Sequence, residues 1–453
     1  MSCIVQKFGG TSVATLDRIK NIVHIVSKTK EKYKNIVVVV SAMAGVTNKF
    51  VQYASGMNAY EGNPEYDSVV SSGELVTAGL MAMALGNVGL NARSYASWQV
   101  PILTDSNFGH AVIQNVDPSN LLADMENGII PVVCGFQGIS TNKRVTTLGR
   151  GGSDLTAVAI ASAVNAEMCE IYSDVDGVYT TDPNLYAEAK RLDNIGYYEM
   201  LEMSAHGAKV MQEQSVAYAL KKNVKIKVVS SFSESDGTII SEKSSGKKFC
   251  GLAVIPTLSQ IKISCKNKED FPKIIGLLEM VAPRAFTHPD SVLTLQPHRA
   301  YLSTGSKAVN GSNVTPGMIP GPTYSCRNNL NVEVDPRIRF RRAVNGSNVT
   351  LVTLVMLVLV DKKKVPAVLN ILKQCDFVVR VKQEIMPKPV SKVTVVSANN
   401  SEDIAKGLVR ELERHKLETV RYFVNTYGTN LIIPSDKLVE TVALLHRYCE
   451  LDK

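Results

Sequence analysis

The segment 146–156, TTLGRGGSDLT, constrains the fold more than any other stretch of the chain. Its glycines allow the positive φ angles of a tight turn, and they leave no side chain between the backbone and a ligand. An Ala-rich helical pattern, residues 155–164, follows directly. A glycine turn before a helix directs free N–H groups and the positive end of the helix dipole at one point, which suits an anion. Taken alone, the segment still favours an ordinary loop with a Ser or Asp N-cap.

Length, charge and cysteine content exclude several classes of protein. The chain has 453 residues, which is enough for two to four domains. Its net charge is +8, but the basic residues are spread out, which indicates a solvated basic surface and no nucleic-acid partner. The eight cysteines are scattered without a C-x-x-C pair, so they predict reduced thiols and neither a zinc site nor disulfides.

The sequence also predicts a cytoplasmic protein without a membrane segment. The start, MSCIVQK, lacks the apolar core of a signal peptide. The longest apolar run, residues 349–360, is too short to span a bilayer.

Strands that end in small-residue loops alternate with helices through the first half of the chain. A short strand at 3–6 runs into the glycine loop KFGGTSV, and apolar residues then recur at helical spacing. The runs 36–40 and 129–134 are continuous and apolar, as in strands buried on both faces of a parallel sheet. The pattern predicts an α/β fold, an open three-layer αβα sandwich with a mostly parallel sheet. Its ligand crevice would lie at the carboxyl ends of the strands, where the loops converge.

After about Gly251 the pattern changes to short strands and amphipathic helices, which predicts small α+β modules. The Ser/Gly/Lys-rich stretch 230–251 has the composition of a linker. Residues 283–342 lack periodicity and are read as an inserted, loop-like or disordered segment. The octapeptide AVNGSNVT occurs in it at 308–315 and again at 343–350, a single duplication and not a solenoid repeat.

Seven short motifs follow one another through the first 250 residues. They are KFGGTSV at 7–13, SAMAGVTN at 41–48, GE at 73–74, GFQG at 135–138, TLGRGGSD at 147–154, SDVDGVYTTDP at 173–183 and GAKV at 207–210. There is no P-loop motif G-x-x-x-x-G-K-[ST], and the protein-kinase signatures are absent. In order and content the seven motifs resemble those of the aspartokinases, and the closing residues 446–453 resemble the end of an aspartokinase regulatory region.

The resemblance implies transfer of the ATP γ-phosphoryl group to the β-carboxylate of L-aspartate, with Mg²⁺ on the phosphates. Lys7 would stabilise charge on the transferring phosphoryl group, and Asp154 would orient Lys7 and the substrate. No protein residues are assigned as metal ligands. The remaining implied nucleotide-binding residues are Phe8, Gly9, Gly10, Ser173, Asp174, Tyr179 and Lys209.

For the amino acid, the resemblance implies a second set of residues. Arg150 would bind a carboxylate through its planar guanidinium. Glu74 would accept hydrogen bonds from the substrate ammonium, while Ser41, Thr47 and Ser153 would supply hydroxyls. Two purely structural interpretations stay open: Glu74 as a capping carboxylate in a first helical turn, and Tyr179 as a core residue.

The C-terminal modules resemble paired ACT domains, which have a ferredoxin-like α+β fold and in this family bind end-product amino acids at a dimer interface. The resemblance places a catalytic domain at 1–245 and a second ACT-like domain at 374–453. The first ACT-like domain would cover 251–373 and be interrupted at about 283–342. A homodimer through these modules is expected, while effector control is left open because the usual effector-binding stretch is replaced by NTYGTN at 425–430.

Departures from the family pattern keep other readings open. Asn184 stands where an arginine commonly contacts ATP phosphates, and Gln212 stands where a histidine is frequent. His206 replaces a usual apolar residue and is read as a structural histidine. The alternatives are another amino-acid kinase acting on glutamate, acetylglutamate or uridylate, and a non-catalytic amino-acid sensor or inactive remnant.

Overall fold

The computed structural model describes residues 2–244, 246–265, 273–274, 324–326, 330–332, 354–362, 365–373, 375, 378–384 and 389–452. The elements of the N-terminal half are β1 (Cys3–Phe8), α1 (Leu16–Lys30), β2 (Asn35–Val40), α2 (Val46–Gly56), α3 (Pro64–Val70), α4 (Ser72–Gly86), β3 (Ala92–Tyr95), β4 (Ile102–Thr104), β5 (Ile113–Val116), α5 (Ser119–Glu126), β6 (Ile130–Cys134), β7 (Gln137–Ser140), β8 (Val145–Thr147), α6 (Gly152–Ala163), β9 (Met168–Ser173), β10 (Asn194–Gly196), α7 (Tyr197–Ala205), α8 (Glu213–Lys222), β11 (Ile226–Ser230) and β12 (Thr238–Ser241). The elements of the C-terminal half are β13 (Phe249–Cys265), β14 (Tyr324–Cys326), β15 (Leu330–Val332), β16 (Leu354–Asp361), α9 (Val365–Lys373), β17 (Val378–Glu384), β18 (Val390–Ser397), α10 (Glu402–Arg414), β19 (Arg421–Val424), β20 (Gly428–Pro434) and α11 (Leu438–Tyr448).

The central sheet has eight strands in the order β10-β12-β11-β9-β1-β2-β6-β3. Every pairing in it is parallel except that of β11 with β12. A separate four-stranded sheet, β5-β4-β7-β8, packs beside it and ends at the glycine-rich segment 149–152.

Both faces of the central sheet are covered, because successive side chains of β1 point to opposite faces. Ile4 and Phe8 join a cluster that is covered by α1 and α4. Cys3 and Val5 join the cluster on the other face, which is covered by α5 to α8. This confirms the predicted three-layer αβα sandwich with a mostly parallel sheet. The same alternation places Lys7 on the face that packs against α6.

One helical stretch, Pro64–Gly86, is long and apolar enough to cross a membrane by length and composition alone. It consists of α3 and α4, and 44% of its most apolar window is buried. Met81 and Leu85 of α4 pack into the core cluster under the sheet. This packing accounts for its apolar character as that of a core helix.

The C-terminal half forms a second sheet in the order β16-β13-β18-β20-β19, with β17 also paired to β13. The first part of β13, from Phe249 to Leu258, pairs with β18. Its second part, from Leu258 to Cys265, pairs with β16 and β17. Helices α10 and α11 pack on β18 and β20 in one apolar cluster. This is the expected α+β region, and β13 joins its two parts within one six-stranded sheet.

The predicted insertion at 283–342 lies outside the described residues, apart from the antiparallel pair β14 and β15. Both copies of the duplicated octapeptide also lie outside them. The domain bounds at 245, 251 and 373 stay a prediction, to which the strand pairing adds that residues from Phe249 onward share a sheet with β18. Cys3, Cys134, Cys169 and Cys449 are free thiols.

Candidate active site

The motif loops meet at the carboxyl ends of the central strands and are joined by backbone hydrogen bonds. The Gly9 N–H donates to the Tyr172 carbonyl (3.2 Å), which ties the glycine loop to the end of β9. The Ser41 N–H donates to the Phe8 carbonyl (3.1 Å), and the Ala44 N–H donates to the Gly10 carbonyl (3.1 Å). The first, second and sixth motifs therefore form one surface, at the edge where a parallel α/β sheet binds ligands.

Lys7 and Asp154 form a buried ion pair at the centre of this surface. The Lys7 Nζ lies 2.6 Å from Asp154 Oδ1, and each side chain is only about a tenth exposed. A Cβ built on Gly9 would lie 3.3 Å from the Lys7 Nζ, so the ammonium lies directly beside the glycine loop. The ion pair thus fixes a positive charge beside backbone that carries no side chain.

The segment from Gly149 to Gly152 forms a tight turn into α6. Gly149 and Gly151 have φ angles of 74° and 73°, the left-handed region that favours glycine. The Asp154 N–H donates to the Gly151 carbonyl (3.0 Å), and Asp154 lies in the first helical turn. A Cβ on Gly151 would lie 1.9 Å from the Gln212 Cγ, so the end of the GAKV region packs directly on this turn.

Two further predicted residues flank this turn. Arg150 is exposed and makes no ion pair with any residue that the structure describes. Ser153 is buried, and a Cβ on Gly135 would lie 2.6 Å from its Oγ, so the GFQG motif packs against it. The turn therefore presents a guanidinium to solvent while its other end is fixed by neighbouring loops.

Glu74 is buried at the start of α4 with one of its carboxylate oxygens unsatisfied. Its Oε1 accepts the Ala42 N–H (3.0 Å) of the second motif. Its Oε2 has no hydrogen-bond partner among the described residues. Burial raises the pKa of Glu74 to about 7, against the opposing effect of the backbone hydrogen bonds from Ala42 and from its own N–H. A buried acceptor without a donor is the arrangement that a ligand ammonium would complete.

The second motif holds the other predicted hydroxyls near this carboxylate. Ser41 follows β2, and Thr47 lies in the first turn of α2, which begins after Gly45. A Cβ on Gly73 would contact both the Ala42 Cβ (2.8 Å) and the Val46 Cγ1 (3.0 Å). Close packing at Gly73 thus brings the starts of α2 and α4 together.

The residues predicted to meet the nucleotide lie at the end of β9, in the loop after it, and in the segment after α7. Ser173 is half-buried and Asp174 exposed, and the Ser173 hydroxyl donates to Asp174 Oδ1 (3.0 Å). The Tyr179 hydroxyl donates to Asp176 Oδ1 (2.9 Å), and Tyr179 is half-buried. Lys209 is exposed, three residues before the Gln212 that packs on Gly151.

Phe8, also predicted to bind the nucleotide, has its side chain in the core. Its ring is fully buried under the sheet and stacks on Tyr172, with ring centroids 4.6 Å apart. Its carbonyl is already taken by the Ser41 N–H. The Phe8 side chain therefore packs in the core below the glycine loop, and its nucleotide-binding role stays a prediction.

Asn184 also has local partners. Its N–H and its side-chain amide both donate to Asp182 Oδ1, at 2.9 and 3.0 Å. The Asp182 carboxylate therefore caps the turn at Pro183 and holds the Asn184 amide as well.

Residue-level reasoning on the sequence missed Asp67, a fully buried acid in α3. It accepts hydrogen bonds from two backbone N–H groups in segments far away in the sequence. Among the described residues no group of three or more His, Cys, Asp or Glu side chains could hold a metal ion. The acid nearest the glycine loop, Asp154, is paired with Lys7. This donor set fits Mg²⁺ that is carried mainly by nucleotide phosphates.

Comparison with known sequences identifies the class of protein first. The sequence model of the Amino acid kinase family matches residues 2–230, which is half of the chain. An aspartokinase of Pseudomonas aeruginosa is 36% identical over the whole chain and 98% of its own length. An aspartokinase of Rickettsia bellii is 45% identical over 54% of the chain and 61% of its own length.

Solved structures agree on the fold. Escherichia coli aspartokinase III in complex with aspartate and ADP has a TM-score of 0.68 at 21% identity, covering 98% of this chain and 99% of that one. The aspartate kinase of Clostridium acetobutylicum has a TM-score of 0.61 at 16% identity and full coverage of both chains. The chain belongs to the aspartokinases, within the amino acid kinase family.

Proposed function

We propose that this protein is an aspartate kinase, which transfers the γ-phosphoryl group of ATP to the β-carboxylate of L-aspartate and forms 4-phospho-L-aspartate. The observation that carries the proposal is the buried Lys7–Asp154 ion pair between the glycine loop and the turn that carries Arg150. It stands beside two distinct half-sites, one suited to phosphates and one to an amino acid.

In this reaction two anions have to approach each other, so positioning and charge neutralisation supply most of the catalysis. A carboxylate oxygen of aspartate attacks the γ-phosphorus, and the bond from that phosphorus to the bridging oxygen of ADP breaks. The ammonium of Lys7 is held by Asp154 where it can stabilise charge on the transferring group. Gly9 and Gly10 let the phosphates approach the backbone, and Mg²⁺ bound with ATP neutralises further phosphate charge.

The amino acid is held by groups of opposite charge. Arg150 binds a carboxylate through its guanidinium, and Glu74 accepts hydrogen bonds from the ammonium with its buried Oε2. The hydroxyls of Ser41, Thr47 and Ser153 complete this half-site. No general base is needed, because the aspartate carboxylate is already ionised at neutral pH.

For the nucleotide, Ser173, Asp174 and Tyr179 contact the nucleoside, and Lys209 reaches the phosphates. Exposure of Asp174 and Lys209 beside the glycine loop and the Gly151 turn supports these roles. Asn184 supplies no cation there, since its amide is bound to Asp182. The intact ion pair and Glu74 do not favour the alternative of a non-catalytic sensor.

The test is a substrate panel with ADP formation as the measured signal. ATP and Mg²⁺ are supplied with L-aspartate, L-glutamate, N-acetyl-L-glutamate or UMP. We expect ADP formation to depend on L-aspartate. Phosphorylation of one of the other acceptors, and not of aspartate, would show that the protein is a different kinase with the same fold. No ADP formation with any of the four acceptors would show that it is a non-catalytic sensor or an inactive remnant.

We further propose that the chain forms a homodimer through its C-terminal modules and works in the cytoplasm. The support is the α+β fold of the β13 to β20 sheet, which matches the ACT-like modules expected there. Light scattering of the full chain gives the mass in solution. A monomer at micromolar concentration would contradict the dimer.

A further inference from the structure

A single carboxylate oxygen of Asp67 holds two loops that belong to the candidate site. Asp67 is fully buried in α3. Its Oδ2 accepts the Thr147 N–H at 2.7 Å and the Gly109 N–H at 2.9 Å. Its Oδ1 is also buried and has no hydrogen-bond partner among the described residues. The carboxylate therefore joins the end of β8 to the loop between β4 and β5.

These two segments also contact each other directly. The Ala111 N–H donates to the Thr147 carbonyl (2.8 Å). A Cβ on Gly149 would lie 2.7 Å from the His110 Nδ1, so the His110 ring packs against the backbone at Gly149. Arg150 is the next residue. The position of the Arg150 backbone is thus set by a short path from Asp67 through Thr147 and through Gly109.

We propose that Asp67 is a positioning residue for the amino-acid half of the site: it holds the backbone from Thr147 to Gly149 so that Arg150 meets the substrate carboxylate. The inference rests on the proposed aspartate kinase function. Asp67 lies below the loop and touches no predicted substrate position, so its effect is transmitted through Arg150.

An acid suits this position for a physical reason. A carboxylate oxygen accepts two N–H donors at once, and charge-assisted hydrogen bonds are shorter and stronger than neutral ones. Burial raises the pKa of Asp67, while the hydrogen bonds from Gly109 and Thr147 and the charge of His110 act in the opposite direction. Without the carboxylate, two buried N–H groups lose their acceptor, and the segment they belong to has to move to find another.

Three variants of the full chain separate this role from a general loss of stability. In Asp67→Ala both donors lose their acceptor, and we expect the KM for aspartate to rise about tenfold or more, while the KM for ATP changes less than about twofold. In Asp67→Glu the acceptor is displaced by one methylene, and we expect the same split with a smaller rise. In Asp67→Asn an amide oxygen can still accept both N–H groups, so most of the wild-type KM for aspartate should return.

Asp124→Ala is the matched control. Asp124 is likewise buried and accepts hydrogen bonds from Arg93 (2.7 Å) and Tyr95 (2.8 Å), but these lie on the edge strand β3, and no motif loop is among its partners. It should lower the melting temperature and leave both KM values unchanged.

The outcomes are distinct. A wild-type chain without aspartate-dependent ADP formation rejects the proposed function itself. An active wild type with an unchanged KM for aspartate in Asp67→Ala, or in Asp67→Glu should the alanine variant not fold, overturns the positioning role. Equal rises of both KM values, or failure of Asp67→Asn to restore the KM for aspartate, overturn it as well.

Discussion

Glu74 is a buried acid whose two carboxylate oxygens have different surroundings. Oε1 is satisfied by the Ala42 N–H, and Oε2 has no partner among the described residues. The pKa of about 7 means that near neutral pH the carboxyl group is divided between its two protonation states. Only the ionised state carries the charge that attracts a substrate ammonium.

We therefore expect aspartate binding to tighten as the pH rises from about 6 to 8, because Glu74 loses its proton in this range. The aspartate ammonium stays protonated throughout. In Glu74→Gln the KM for aspartate should be raised at least about tenfold and should vary little over the same range. Steady-state kinetics at fixed ionic strength measure both, and a pH-dependent KM that persists in Glu74→Gln would contradict the assignment.

The free energy of unfolding should also depend on the protonation of Glu74. The folded pKa of Glu74 lies above its ordinary value of 4.5, so between pH 4.5 and 7 the folded chain binds more protons than the unfolded chain. The contribution of Glu74 to the free energy of unfolding is thus fully present below pH 4.5 and is lost as the pH rises to about 7. Chemical denaturation of Glu74→Gln should show a smaller decrease over this range than the wild type.

We propose that Arg150 binds aspartate and not ATP, and a conservative substitution can test this. Its exposed guanidinium can bind a carboxylate with two parallel hydrogen bonds, which a lysine cannot reproduce. We expect Arg150→Lys to raise the KM for aspartate by about tenfold and to change the KM for ATP little. Equal losses for both substrates would show that the residue serves the whole site.

At the scale of elements, the turn before α6 depends on glycine at one position in particular. Gly151 combines a φ of 73° with the closest approach of a neighbouring side chain, that of Gln212. A side chain at Gly151 is strained by its backbone and also displaces the segment that follows Lys209.

Gly151→Ala should therefore lower kcat at least tenfold, because α6 carries Asp154, which holds the Lys7 ammonium. Gly89→Ala is a matched control: Gly89 has a φ of 81°, and a Cβ there meets nothing within 4 Å. Both variants should lose about 1–2 kcal/mol from the left-handed backbone alone. An equal fall of kcat in both variants would mean that catalysis does not depend on glycine at position 151 in particular.

The elements that follow local periodicity were predictable from the sequence. The run 36–40 became β2, and the residues after the glycine turn became α6. The place of Phe8 was also open to prediction, because strand alternation puts it opposite Lys7 and into the core.

Long-range contacts were not predictable from a single sequence. Asp67 lies 42 and 80 residues from its two donors, and no local pattern marks such a residue. The shared strand β13 is a similar case, since its pairing with β18 joins residues more than 130 positions apart. Glu74, in contrast, was proposed as a site residue from its motif, a role that stays a prediction. Its burial and its unpaired oxygen became visible only in the fold.

At the scale of the whole molecule, the catalytic half and the C-terminal sheet are joined by a buried polar cluster. The Lys392 Nζ of β18 lies 2.7 Å from His206 Nδ1, and His206 Nε2 lies 2.9 Å from Glu202 Oε1. An ammonium can only donate, so His206 Nδ1 accepts and Nε2 carries the proton toward Glu202. Asn425 also donates to Glu202 Oε1 (2.8 Å). His206 is thus structural, as its sequence context predicted.

Removing the shared acceptor should weaken the docking of the two halves. Glu202→Ala removes a buried carboxylate that pairs with His206 and accepts a hydrogen bond from Asn425, and we expect a loss of about 3–5 kcal/mol in the free energy of unfolding. Glu440→Ala removes an exposed ion pair with Lys437 and should change the free energy of unfolding much less than Glu202→Ala does. Urea denaturation measures the free energy of unfolding of both variants. Similar small losses would mean that the polar cluster contributes little to the contact between the catalytic half and the C-terminal sheet.

Transfer of phosphate to aspartate through the Lys7–Asp154 pair is the central claim, and trapping of the product tests it most directly. An acyl phosphate reacts with hydroxylamine to give a hydroxamate, which is coloured with ferric ion. With ATP, Mg²⁺ and L-aspartate, the wild type should form hydroxamate, and folded Lys7→Ala should lose at least about a hundredfold of the rate. A wild-type signal no greater than that of Lys7→Ala would contradict the account.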